Sequence, residues 1–376
     1  MRRISGHILT PSGFVNGAIE FGADGRIIAV SGQPLDEGEV RDSDRPLVLP
    51  GFVDLHVHGG AGRDIMEGGD ALEQVSQLHA RHGTTALLAT TMTAPAEDLE
   101  IAFAAMKALG PKRSSAAARV LGVHLEGPYI NDGKRGAQPD FARPVQADEL
   151  RRLNALFPIR LITLAPEVPG NMELIESLCS SGFRVQLGHT LGTYEEGVQA
   201  MSRGASGFTH LFNAMTGLEH RSPGMVGVAL AHAAFAEIIP DLIHVHPGAI
   251  RVALRAIPGL YCVTDSTAAA GMPDGEYRLG RHTVHKCLGG VRLPDGTLAG
   301  STLTMDQAFR NLVNEIGLTL SGASRHVSTH AADYLGATDR GRLAAGCWGD
   351  AVVLDRDLKV LDVYVEGGSI DSAKTA

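Results

Sequence analysis

The chain has 376 residues, 44% hydrophobic and 20% charged, enough to bury a sizeable core and to argue against wholesale disorder. A formal net charge of −9, with no run of lysine or arginine, excludes a phosphate-backbone partner such as nucleic acid. The length leads us to expect one large domain and one small one, which an α/β barrel of about 250 residues beside a smaller module would use up.

The basic start, Met1-Arg2-Arg3, is followed by Ser5, Gly6, His7, Thr10 and Pro11 where an export signal would need an apolar segment, so no signal is expected. Residues 4–30 alternate like a meander of short strands, with turns at Ser12-Gly13 and Asp24-Gly25. Residues 343–365 have the same character. Both ends are expected to meet in a small β-sandwich module of residues 1–48 and 338–376, leaving 49–337 for the barrel.

Eight short apolar runs rich in β-branched residues follow in order: 52–57, 85–90, 120–125, 161–164, 185–187, 207–209, 238–243 and 260–263. Between them, segments 71–81, 96–109, 171–179 and 193–203 carry apolar residues at helical spacing, with Asp70, Asn171 and Thr193 at or beside their N-caps. This alternation predicts a parallel sheet closed as a TIM-like (β/α)8 barrel. The most apolar stretch, 225–239, is interrupted by His232 and Glu237 and is too short for a membrane span. Residues 280–300, with Pro294-Asp295-Gly296 as the turn, read as a hairpin inserted after the eighth strand. Cys179, Cys262, Cys287 and Cys347 form no C-x-x-C pair and are expected to be buried thiols in a reducing cytoplasm.

Barrel chemistry sits at the C-terminal ends of the strands. There the sequence places His56 and His58 (first strand), His124 and Glu126 (third), His189 (fifth), His210 (sixth), His244 (seventh) and Asp265 (eighth). Imidazoles and carboxylates are what a borderline divalent cation takes. His56 and His58, two apart on a strand, point to the same side. Taken singly, each has a blander explanation: a polar strand end for His-x-His, a salt bridge to Arg135 or Arg143 for Glu126, a structural histidine for His189 or His210, an Asx-turn for Asp265. The coincidence of the histidines and Glu126 over four strands favours a cation. Asp265 precedes the small-residue loop Ala268-Ala269-Ala270-Gly271, which leaves room for a ligand, and a carboxylate there can take a proton from water and hand it to a leaving group.

The strings Pro50-Gly51-Phe52-Val53-Asp54-Leu55-His56-Val57-His58-Gly59, His124-Leu125-Glu126-Gly127-Pro128, Leu187-Gly188-His189-Thr190, His210-Leu211-Phe212-Asn213-Ala214-Met215, Val263-Thr264-Asp265 and Gly296-Thr297-Leu298-Ala299-Gly300-Ser301 resemble the amidohydrolase superfamily. The particular likeness is to its deacetylases of phosphorylated N-acetyl amino sugars, and it runs nearly end to end. It implies hydrolysis of N-acetyl-D-glucosamine 6-phosphate to D-glucosamine 6-phosphate and acetate. It also implies that Glu126, His189 and His210 hold the principal ion, with Asp265 as the acid/base residue. Family members that keep the His56–His58 pair can take a second ion, bridged by Glu126 with Asp265 contributing. Zinc is the first expectation, with iron(II), cobalt(II) or manganese(II) as alternatives. No lysine stands at a predicted strand end, so Glu126 replaces the carbamylated lysine of other branches. The resemblance assigns substrate contacts to Asn213, Ala214, His244, Leu298, Ala299 and Gly300, and to Arg221 reaching a phosphate across a homodimer interface. Where the family usually has Lys-Gly-x-His, this chain has Arg135-Gly136-Ala137-Gln138; Ala137 and Gln138 are kept as substrate contacts, although an amide carries no charge to polarise a carbonyl. Leu242 stands where relatives often have glycine. His79, His82, His232, His282, His285, His326 and His330 fall outside the matched positions. The alternatives are an amidohydrolase for another N-acetyl amino sugar, a deaminase or cyclic amidase, and a catalytically dead barrel, which would normally have lost ligands.

Overall fold

Apolar runs buried on both faces form eight strands, because a parallel sheet with helices outside it and packed side chains inside it leaves neither face to water. The computed structural model, which describes residues 2–110 and 113–370, contains β1 (Phe52–Val57), β2 (Thr84–Thr91), β3 (Arg119–Glu126), β4 (Ile159–Leu164), β5 (Arg184–Leu187), β6 (Gly207–Phe208), β7 (Phe235–Ile238) and β8 (Gly259–Cys262). β1 to β6 pair in chain order and β7 pairs with β8. The ring closes through backbone bonds: Leu211 N–H donates to the Glu237 carbonyl at 2.9 Å between β6 and β7, and Asp265 N–H to the His56 carbonyl at 2.9 Å between β8 and β1. The predicted barrel is therefore observed.

Helices return the chain after each strand, among them Ala71–Arg81, Ala96–Leu109, Asn171–Ser180 and Tyr194–Ser202. Thr193 opens the last of these with a capping box, its hydroxyl accepting from Glu196 N–H while the Glu196 carboxylate accepts from Thr193 N–H. Asp70 is an N-cap whose side chain accepts from Arg63 and Gln74 and makes no capping bond to the helix backbone. Asn171 lies just inside its helix, and its amide instead ties the Tyr129 and Ala165 carbonyls to Val145 N–H.

Three expectations change. β7 ends at Ile238, well before the predicted boundary, because the apolar run continues as buried core in Ile239 and Val245 after the ladder has stopped; His244 therefore sits in a loop. The inserted hairpin is a three-stranded flap, Gly275–Leu279, His282–Cys287 and Gly290–Arg292, beginning earlier than expected. Its turn at Pro294-Asp295-Gly296 is present, with Gly296 N–H bonded to the Leu293 carbonyl. Of the cysteines, Cys262 and Cys347 are buried, Cys179 is half-buried and Cys287 is exposed on the flap.

The two chain ends share one seven-stranded sheet, ordered Gly368–Ser369, Val360–Val365, Ala351–Leu354, Leu47–Pro50, Arg2–Thr10, Gly13–Phe21, Ile27–Leu35. Ile4, Ile8, Ile19, Phe21, Ile27 and Val353 give it an apolar core of its own. No helix among the described residues is long and apolar enough to cross a membrane.

Candidate metal centre

The interior of a barrel of this kind is usually filled by branched apolar side chains. Here the layer under the C-terminal rim is polar, drawn from His56, His124, Thr163, Gln186, Thr209, Glu237 and Tyr261, all fully buried. Thr209 Oγ1–H donates to Gln186 Oε1 at 2.9 Å, so Thr163 must donate to Thr209 at 2.7 Å and His124 Nε2–H to Thr163 at 2.7 Å. Gln186 Nε2 donates to Tyr261 Oη at 2.5 Å, and Glu237 Oε2 accepts from both His56 Nδ1–H at 3.0 Å and His210 N–H at 3.1 Å. With Glu237 taking the Nδ1–H, His56 Nε2 is left bare and facing the rim.

Above it, side chains from five strand ends converge. Glu126 Oε1 lies 3.1 Å from His189 Nε2 and 3.0 Å from His210 Nε2, which are themselves 3.1 Å apart. A second set adjoins it: His56 Nε2 and His58 Nε2 are 3.1 Å apart, and lie 3.4 and 3.3 Å from Asp265 Oδ1. Glu126 joins the sets, with Oε2 3.1 Å from His58 Nε2. His189, His210 and Asp265 all have left-handed backbones, φ 49°, 31° and 49°, a costly conformation for residues with a Cβ that turns each side chain inward at its strand end.

The donor chemistry fits a cation. His189 Nδ1–H donates to the Lys134 carbonyl at 2.8 Å, which with the Glu237 bond fixes two tautomers with Nε2 lone pairs turned inward. Lone pairs facing one another and a carboxylate repel unless a proton or cation lies between them. The 3.0–3.5 Å spacings approximate the ~3.4 Å edge of a tetrahedron with bonds of ~2.1 Å. The same field attracts protons. Burial alone would lower His58, but hydrogen bonds to Asp265 and Glu126 lift it to about 9, and Glu126, Asp265 and Glu237 likewise raise His56 against its burial. Burial opposes charge on the carboxylates too, yet the imidazoles hold Glu126 well below the carboxylate range, and His56 and His58 bring Asp265 down to about 2.

These groups form the floor of a 340 Å³ cavity. Of the expected residues, His58, Glu126, Ala137, Gln138, His189, His210, Asn213, Ala214, His244, Asp265, Leu298 and Gly300 line it. His56 lies behind the wall, fully buried. Ala299 packs instead into the flap core with Leu279 and Val284, and Arg221 is exposed on the loop after β6, outside this chain's cavity. His244 is oriented by Asp241, whose Oδ2 accepts from Nδ1–H at 2.6 Å; this pair outweighs burial and raises the His244 imidazole. Gln138 is engaged at both ends, accepting from Thr93 N–H and donating to Glu126.

Sequence reasoning passed over Glu237, read as an interruption of an apolar stretch, and Lys134, which lines the cavity. A carboxylate inside a β-branched run was the available signal for the first. Glu237→Gln is expected to weaken cation binding about 10- to 100-fold if His56 is a ligand, since it loosens the partner that orients that imidazole. Competition against a chromophoric chelator measures this, and unchanged affinity would reduce Glu237 to a space-filling role.

The sequence profile of the amidohydrolase family matches residues 47–370. The chain is 41% identical over 332 residues to an N-acetylglucosamine-6-phosphate deacetylase of Lysinibacillus sphaericus, covering 86% of this chain and 85% of that one. It is 39% identical over 354 residues to an N-acetylgalactosamine-6-phosphate deacetylase of Escherichia coli O157:H7, covering 92% of each. Among solved structures, it superposes with a TM-score of 0.87 and 34% identity on an Asp-to-Ala variant of the Mycobacterium smegmatis N-acetyl-D-glucosamine-6-phosphate deacetylase in complex with N-acetyl-D-glucosamine-6-phosphate, covering 97% of this chain and 98% of that one. A strand-end set of buried imidazoles and carboxylates and a profile match over most of the chain lead to the same place: this chain belongs to the amidohydrolase family.

Proposed function

We propose that this chain deacetylates N-acetyl-D-glucosamine 6-phosphate, releasing D-glucosamine 6-phosphate and acetate in amino-sugar catabolism or recycling. The observation that carries the proposal is the three-donor face of Glu126, His189 and His210 with Asp265 beside it on a cavity floor. The deacetylase relatives support the substrate class.

Glu126, His189 and His210 would hold one divalent ion, and His56, His58 and Asp265 a second, with Glu126 between them. Zinc suits this nitrogen and oxygen set, and iron(II), cobalt(II) and manganese(II) are the alternatives. Such an ion, when bound, polarises a carbonyl and brings the pKa of water to about 7. Asp265 accepts the proton of the attacking water and delivers it to the departing amine. Asn213, Ala214, Ala137, Leu298 and Gly300 shape the wall around the sugar, and His244, oriented by Asp241, presents its Nε2 to the substrate. Arg221 is assigned to the phosphate bound by the neighbouring subunit of a cytoplasmic homodimer, since a guanidinium pairs bidentately with phosphate. Residues 49–337 make the hydrolase barrel and the two chain ends a smaller β module, a single sheet in place of the expected sandwich, a division supported by the separate terminal core.

Acetate release from phosphorylated and unphosphorylated N-acetyl sugars, run with defined metals, tests the reading. The phosphorylated glucosamine derivative is expected to be preferred, and Arg221→Ala to raise its KM about 10- to 100-fold with kcat little changed. Equal turnover of unphosphorylated sugars, independent of Arg221, would overturn it. The galactosamine epimer is a second reading, favoured by the 39% identical relative; a higher kcat/KM on that epimer would select it.

A further inference from the structure

β2 brings no imidazole or carboxylate to the rim, yet Thr93, just beyond its end, reaches the centre through the backbone. Thr93 N–H donates to Gln138 Oε1 at 2.7 Å, and Gln138 Nε2 donates to Glu126 Oε2 at 2.5 Å. A backbone N–H can only donate, so the first bond fixes which end of the amide is oxygen and turns its nitrogen toward Glu126. Gln138 is 5% exposed and Glu126 2%. A hydrogen bond to a carboxylate shielded from water in this way is among the stronger ones a side chain makes. Thr93 is itself held in place, because Gly127 packs so tightly on it that a Cβ there would fall 2.1 Å from Thr93 Oγ1.

The two oxygens of Glu126 keep different company. Oε1 faces His189, His210 and, further off, His56 at 3.1, 3.0 and 3.5 Å, and Oε2 faces His58 at 3.1 Å and Gln138 at 2.5 Å. Rotation about the last bond of a glutamate is soft, with a broad torsional profile. Three imidazoles surround Oε1. Oε2 has one imidazole, and the amide supplies the second constraint on the carboxylate plane.

We propose that Gln138 is a positioning residue that holds Glu126 with Oε2 turned toward His58, and so supports a second cation at the set of His56, His58 and Asp265. This rests on reading the site as a cation centre, and not on which sugar it takes. The role is separate from donating to a substrate carbonyl, which Gln138 also has the position to do from the cavity wall.

The test is a titration of metal-free protein with zinc against a chromophoric chelator, for the wild type, Gln138→Met and Gln138→Asn. Methionine keeps the length of the side chain without a donor, and asparagine keeps the amide but falls short of Glu126. Wild type is expected to bind two zinc ions. Both variants are expected to bind the first within about threefold of wild type and the second about 10- to 100-fold more weakly, with thermal melting used to discard a variant that does not fold. A wild type that takes up one zinc overturns the proposal, as does second-site affinity that neither folded variant changes. A raised KM for substrate with zinc binding intact also overturns it, leaving Gln138 as a substrate contact alone. Absence of acetate release from every N-acetyl sugar would sink the substrate reading and leave the zinc titration untouched, so the two failures are distinguishable.

Discussion

Asp265→Asn is expected to lower kcat by up to about 10⁴-fold, the upper range for loss of a general acid/base, while zinc stays bound at Glu126, His189 and His210. Asparagine matches the size of aspartate but cannot take up a proton. Asp265 can start as the base because His56 and His58, working against burial, keep its carboxyl ionised throughout the neutral range. Its placement comes from the backbone: its N–H donates to the His56 carbonyl at 2.9 Å and its own carbonyl accepts from Ser301 N–H at 2.7 Å. The substitution therefore changes chemistry and not position. Steady-state acetate release together with metal analysis checks this, and near-normal turnover would remove Asp265 from its assigned role.

Glu126→Gln should strip the centre more broadly. Glu126 touches His56, His58, His189 and His210, so an uncharged amide there leaves both donor sets without their shared anion. Metal content is expected to fall below about one tenth of an ion per chain after dialysis against chelator, with kcat/KM down about 10³-fold, the scale of several kcal/mol of lost Lewis-acid stabilisation. The pH dependence of loading follows from the raised imidazoles. In the ion-free centre, His58 holds a proton up to about pH 9, so a cation binding at pH 7 must displace it. Zinc affinity should accordingly rise between pH 6 and pH 9, with proton release visible as calorimetric heats that change with the buffer; pH-independent affinity would contradict the proposed ligand set.

Much of this was readable beforehand because two sequence signals coincide here. Strands buried on both faces are short β-branched runs, and ligands in this architecture sit where such runs break, which located His56, His58, Glu126, His189, His210 and Asp265. Hydrophobicity could not mark the end of β7, since Ile239 and Val245 are as buried as the strand itself, and His244 was therefore placed on a ladder that had already ended. Glu237 escaped because its partner, His56 Nδ1, lies far away in sequence, two strands further round the barrel. Ala299 was assigned to the substrate by its neighbours, but alternation along the flap turns its side chain into the core. The bond from Gln138 to Glu126 depends on a backbone N–H of a strand end with no chemistry of its own, which no residue pattern encodes.

Zinc-edge anomalous diffraction from crystals of the loaded protein most directly tests whether one carboxylate and the imidazoles of separate strands share a cation. The account predicts a peak about 2.0–2.2 Å from Glu126, His189 Nε2 and His210 Nε2, joined at higher zinc by a second against His56, His58 and Asp265. A fully loaded protein with its anomalous scatterer elsewhere, and these side chains bonded only to one another, would contradict it.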